Sequence, residues 1–275
     1  MKRISFALLG VLLALSLFVA STFAQTAVTC DQDYTATADD SLSKLASKFY
    51  GSASAYHAIV IQTNLKSETD VTYATVGNLL FDLPNFTARH SPEVRWKLCI
   101  PSADTAKALN GDNALPGLDK TSLGNATYTG AIGRKTLKDG KFSERWSLPP
   151  MSGINEMGLG QIAWGDLNGV PSAVVITFSS GGGPGFFFDL SVMQLQNGKP
   201  TEVAKIEIGD RSPVLAVAIQ DNQVKVDQIT QGPDQPFCCG TLRVVDTYKL
   251  NGHELTPTSH KELGNVESHS MWYRK

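Results

Sequence analysis

The residues with the strongest chemistry in this chain are four cysteines, five histidines and three short acidic or glycine-rich motifs. Asp166-Leu167-Asn168-Gly169 begins like a calcium loop, with side-chain oxygens at alternate positions. The next ligand position is Val170, Pro171 follows, and Thr177 stands where a bidentate glutamate is needed, so the motif reads as a turn between strands. Ser179-Ser180-Gly181-Gly182-Gly183-Pro184-Gly185 lacks the Lys-Ser/Thr ending of a phosphate loop and leads into a strand pattern, which makes it a hairpin connection. His253-Glu254 starts like a zinc-hydrolase helix, but Pro257 occupies the place of the second histidine. Cys238-Cys239 has two readings: a strained vicinal disulfide clasping a loop with Pro233 and Pro236, or thiols that bind metal or react. No metal site and no cofactor is expected.

The ends and the charge narrow the setting. Lys2 and Arg3 precede an apolar run, Phe6 to Ala20, and Thr22-Phe23-Ala24 supplies small residues for cleavage. Residues 1–24 therefore read as a signal peptide with Gln25 as mature N-terminus, the run being shorter than the roughly 20 residues of a membrane span. Ala27-Val28-Thr29-Cys30 fits a lipoprotein site poorly. The mature chain has 22 basic and 26 acidic residues, net −4, which argues against nucleic acid or an anionic membrane as the main partner. Cys30, Cys99, Cys238 and Cys239 allow three pairings in an exported chain. Cys30–Cys99 is favoured because these two bracket one compact segment, and its closure is worth roughly 4 kcal/mol.

The elements that must position these residues fall into two kinds. In ADDSLSKLASKFYG, residues 38–51, Leu42, Leu45, Ala46, Phe49 and Tyr50 form one apolar stripe. Asp39, Asp40 and Ser41 offer an N-cap, and Gly51 a left-handed stop. A second helix is predicted from about Ser52 to Asn64, with Tyr56, Ile59, Val60 and Thr63 on one face and His57 off it, in solvent. Short strands flank the pair, at Asp33–Thr37 and Trp96–Pro101, giving the order strand, helix, helix, strand.

Tyr34-Thr35, Asp40-Ser41-Leu42-Ser43-Lys44-Leu45-Ala46, Phe49-Tyr50-Gly51, Asn64 and Leu98-Cys99-Ile100-Pro101 together resemble a LysM module, over residues 34–101. The resemblance implies binding of N-acetylglucosamine polymers, peptidoglycan or chitin, in a shallow groove between two loops. By position the first loop is Ala38, Asp39, Asp40, Ser41 and Leu42, and the second begins at Thr63, Asn64 and Leu65. Three departures stand out: Asp39 replaces a usual glycine, Val94-Arg95 replaces a Pro-Gly turn, and residues 66–91 are inserted at one groove wall.

Beyond 25–101, the module, residues 102–121 lack a period and read as a linker. The period then becomes two. Val174–Phe178, Phe187–Leu195, Val203–Ile208, Val214–Ile219, Val224–Ile229 and Val244–Leu250 are predicted strands. Asp139-Gly140, Asn197-Gly198, Gly209-Asp210, Asp221-Asn222 and Asn251-Gly252 are predicted turns. This is an antiparallel β domain over 122–259, followed by a polar tail, 260–275. Leu123–Tyr128, Gly165–Gly169 and Gly232-Pro233 with Phe237–Cys239 resemble a β domain of bacterial exported proteins and lipoproteins without assigned activity. The fold class is α+β: a small βααβ module followed by a separate, mostly antiparallel β domain.

The expected function is that of a secreted, wall-associated glycan-binding protein, its β-domain partner unspecified. One alternative is a wall enzyme targeted by the module. The five histidines are scattered, and Pro236-Phe237-Cys238-Cys239 lacks the context of an L,D-transpeptidase nucleophile. Carboxylate pairs are not legible from sequence. Another alternative is a structural envelope protein whose module no longer binds sugar.

Overall fold

The computed structural model describes residues 28–37, 40–73, 97–236 and 240–265. Residues 1–24, the expected signal peptide, and Cys238-Cys239 lie outside the described residues. The first unit has the expected order: β1 (Gln32–Thr35), α1 (Leu42–Tyr50), α2 (Tyr56–Ser67) and β2 (Lys97–Ile100), with a 3-10 turn over Ala53–Ala55 ahead of α2. Ser41 caps α1, its Oγ accepting from the Lys44 N–H at 3.2 Å. Gly51 stops the helix at φ 72°, its N–H bonded to the Ser47 carbonyl. The stripe of α1 meets Ile59, Val60, Leu98 and Ile100 in one small core. Cys99 is bonded to Cys30, with Cα atoms 5.1 Å apart.

Two expectations change in this unit. The second helix runs to Ser67, past Asn64. His57 is half-buried, its ring centroid 4.0 Å from that of Tyr56, and it faces a cavity rather than open solvent. The apolar stripe did not register what lies opposite the helix's other face.

Residues 102–121 are ordered and packed, not a loose linker. Ser102 caps α3 (Ala103–Asn110), Gly111 ends it at φ 77°, and Asp119 caps α4 (Lys120–Gly124). Ala106 and Leu118 are buried. The Trp164 indole donates to the Leu118 carbonyl at 2.7 Å, and its ring lies where a Cβ on Gly111 would stand. A two-turn, alanine-rich helix shows too little contrast between its faces for a period to be read.

The rest of the chain is antiparallel. Strands β5 (Lys141–Leu148), β6 (Met151–Leu167), β7 (Val170–Ser180), β8 (Phe187–Gln196) and β9 (Lys199–Asp210) form a five-stranded meander. Strands β10 (Val214–Gln220), β11 (Gln223–Thr230), β12 (Leu242–Asn251) and β13 (Glu254–Asn265) form a four-stranded one. All six predicted strands lie within these elements. The chain reverses at Arg211–Pro213 rather than at Gly209-Asp210, since β9 stays paired through Asp210 opposite Phe187. Strand β13 continues through Asn265, so the sheet takes in the first six residues of the expected tail.

The two sheets face each other across one core, with Val174, Ile176, Leu190 and Val192 against Val217, Val224, Val226 and Leu250. Their edges are joined by Gln161, whose Nε2 donates to the carbonyls of Val214 and Leu215 at 3.1 and 3.2 Å. The outer face of the larger sheet is covered by α4 and by the hairpin of β3 (Thr127–Gly130) and β4 (Gly133–Thr136). Strand β7 is therefore buried on both faces, which is why Ala173 to Ile176 reads as an unbroken apolar run. Among the described residues no helix is long and apolar enough to cross a membrane.

Candidate functional site

Three of the residues expected on one side of the groove lie at the corner between β1 and α1. Asp40 Oδ2 accepts from the Thr37 N–H and hydroxyl, each at 2.8 Å, and from the Tyr34 hydroxyl at 3.0 Å. Burial opposes ionisation of Asp40, but these bonds and the Lys48 charge outweigh it and hold the carboxyl below the usual carboxylate range. Tyr34 and Phe49 meet edge to face, centroids 5.8 Å apart, with the Lys48 ammonium 4.9 Å from the Tyr34 ring centre. Ser41 caps the helix and lies 3.1 Å from the Ser43 hydroxyl. Leu42 points into the core. Ala38 and Asp39 lie outside the described residues.

The other side differs from expectation. Thr63, Asn64 and Leu65 are inside α2 and only 0%, 1% and 4% exposed. Thr63 Oγ1 accepts from the Cys99 N–H at 3.0 Å. Asn64 donates to the Leu215 carbonyl at 2.9 Å, and Leu65 packs with Ile61 on Ala216 and Ala218 of β10. None of the three is open to a ligand. The cause is tertiary: α2 lies across the outer face of β10–β12, where partners come from about 150 residues further along.

That contact is charged as well as apolar. Arg243 grips Asp227 through Nε and Nη2 at 2.9 and 2.5 Å, and also donates to the Asn64 carbonyl and the Ser67 hydroxyl. Lys225 pairs with Glu68, both almost fully buried. Burial pushes the Glu68 carboxyl up, and the Lys225 charge opposes it. In sequence Lys225, Asp227 and Arg243 resemble the solvated face of a sheet, so nothing local announces the interface.

Just past α2, Tyr73 closes the outer face of the β1–β2 ribbon. Its hydroxyl donates to Asp33 at 2.5 Å, and the Lys97 ammonium, itself 2.9 Å from Asp33, lies 4.1 Å from the ring centre.

Two cavities open where α3 and α4 meet the first unit. The larger, about 350 Å³, is lined by Tyr50, Ser52, Ser54, Lys107, Asn110 and Lys120, among others. The smaller, about 190 Å³, is lined by His57, Ile61, Leu109, Gln161 and again Lys120. Lys107, Asn110 and Lys120 belong to the stretch expected to be a linker. Only the pairing of Ser102 with Gly111 as helix start and stop could have drawn attention to it.

The other motifs are structural where they are described. Asn168-Gly169 is the β6–β7 turn, and the Asn168 amide donates to the Leu250 carbonyl at 2.8 Å. The glycine-rich run joins β7 to β8, and a ring nitrogen of His253 lies 3.0 Å from the Val203 carbonyl. Among the described residues no three His, Cys, Asp or Glu side chains gather to hold a metal. Comparisons with protein-family models, with curated proteins and with solved structures find no match.

Proposed function

We propose that the chain is an exported, wall-associated protein whose LysM-like βααβ unit binds N-acetylglucosamine polymers such as peptidoglycan or chitin. The observation that carries the reading is the β1–α1 corner. A fixed carboxylate, Asp40, stands beside two half-exposed aromatic rings, Tyr34 and Phe49. Sugars are recognised by such pairs: the ring face takes C–H groups, and a held carboxylate takes hydroxyl or acetamido donors without reorganising. The β sheets brace the unit from behind.

A second reading has its own support. Asn64 and Leu65 are buried against the sheet and Thr63 against β2, which favours a structural envelope protein that has turned the second wall of the groove into an internal joint. Retention of the mature protein on insoluble peptidoglycan and chitin separates the two. Retention that Asp40→Ala reduces about tenfold or more, the cost of one or two charge-assisted bonds, supports glycan binding at this corner. No retention on either polymer sinks it in favour of the structural reading. Release of soluble fragments from peptidoglycan would instead make the protein an enzyme.

A further inference from the structure

We propose that the two cavities between α3, α4 and the first unit form one ligand site for an N-acetylated sugar acid, with Lys107 and Lys120 receiving its carboxylate. The inference rests on the glycan-binding reading and names a different site and a narrower ligand. Lys120 borders both cavities, so they share a rim. The larger cavity alone is about 350 Å³, within the roughly 300–1,000 Å³ of small-ligand sites.

The lining specifies the chemistry. Lys120 makes no ion pair among the described residues, and Lys107 is 3.9 Å from its nearest acid, Asp104. Among the described residues the larger cavity is lined by two lysines and one acid, Asp112, a formal excess of one positive charge on a chain that is net negative. That combination attracts an anion. Asn110 Oδ1 and Gln161 Oε1 are buried acceptors without a hydrogen-bond partner among the described residues. The Gln161 amide orientation is fixed, because its Nε2 serves the carbonyls of Val214 and Leu215. Two orphan acceptors call for a ligand with N–H or O–H donors. Ala55, Ala103 and Ala106 in the larger cavity and Ile61 in the smaller one supply apolar wall for a methyl group. The paired hydroxyls of Ser52 and Ser54, 2.9 Å apart, complete a polyol-binding rim. Carboxylate, donor and methyl on one small polar molecule describe an acylated amino sugar bearing an acid.

Calorimetric titration of the full mature protein with N-acetylmuramic acid, N-acetylglucosamine and lactate tests this, because the first differs from the second only by its lactyl ether. The sugar acid should bind about tenfold more tightly than the neutral sugar, the worth of one charge-assisted bond. It should also bind more tightly than lactate. The advantage should vanish in Lys107→Gln/Lys120→Gln and persist in Lys261→Gln, a surface change on β13. Equal affinity for the two sugars, no binding of the sugar acid, or an advantage that survives the double change overturns the proposal. Lactate binding as tightly as the sugar acid overturns the sugar assignment. Retention on polymer without sugar-acid preference defeats this inference alone. Lysine-dependent binding of the sugar acid without polymer retention defeats only the polymer reading.

Discussion

The side-chain amide of Asn64 donates to the backbone carbonyl of Leu215 at 2.9 Å, joining residues 151 positions apart. Around this bond Arg243 reaches back to the Asn64 carbonyl and the Ser67 hydroxyl while holding Asp227. The joint is thus set by directional bonds between groups that water no longer reaches.

Removing one partner of this joint is expected to cost more than removing two. Arg243→Met leaves Asp227 buried and unpaired and should lower unfolding free energy by about 3–5 kcal/mol. Arg243→Met with Asp227→Leu should restore most of the loss. Asn64→Ala, which leaves the Leu215 carbonyl only its bond from Gln161, should cost about 0.5–1.5 kcal/mol. Urea unfolding of the mature protein reads all three; a double variant no better than Arg243→Met would refute the assignment.

Gly111 and Gly51 both end helices in left-handed backbone, at φ 77° and 72°. A Cβ at Gly111 would come within 2.3 Å of the Trp164 ring, whereas one at Gly51 meets nothing within 4 Å. Gly51→Ala should cost about 1 kcal/mol for its backbone alone. Gly111→Ala should cost at least about 1 kcal/mol more, because a large ring must move. Paired melting curves check it, and equal losses would show that Trp164 yields freely.

The Cys30–Cys99 bond closes a segment of 69 residues, for which chain entropy gives a stabilisation of about 4 kcal/mol. Cys30→Ser with Cys99→Ser should lower stability by close to that amount. Denaturation of the variant beside the oxidised protein measures it directly. A loss under about 1 kcal/mol would mean that the unfolded segment is already compact.

Asp40 governs part of the acid behaviour. Its folded carboxyl is held below the ordinary value, so its stabilisation is complete above about pH 3.9 and is lost as pH falls through the lower folded value. Asp33, held down by the Tyr73 hydroxyl and then by Lys97, acts in the same direction. Asp40→Asn should therefore flatten the fall in melting temperature below pH 4 and leave the Asp33 contribution. A slope identical to that of the unchanged protein would be inconsistent with the hydrogen bonding described.

What was legible in the sequence was local. Ser41 and Gly51 bracket a helix whose stripe lies between them, and Asn197-Gly198 or Asp221-Asn222 join strands of period two; each signal spans a few residues. Strand β6 was missed because Gly153, Gly158, Gly160 and Gly165 interrupt its pattern. In the fold, three of these glycines are where Trp146, Phe178 and Ile219 lie against bare backbone, so the weak pattern is itself a packing device. The groove residues were misplaced for a different reason. Asn64 looks like a helix end facing a loop until Leu215 and Arg243, both far along the chain, are brought to it. Lys107 and Asn110 lie on a short alanine-rich helix without a readable face, and Lys120 opens a five-residue helix too short to show a period.

The same joint dictates a timetable. A chain made from its N-terminus at about 5–20 residues per second finishes α2 roughly 10–40 s before β10–β12 exist to cover it. Through that interval the newborn unit can close its own small core, while Ile61, Leu65 and the carbonyl of Asn64 still face outward.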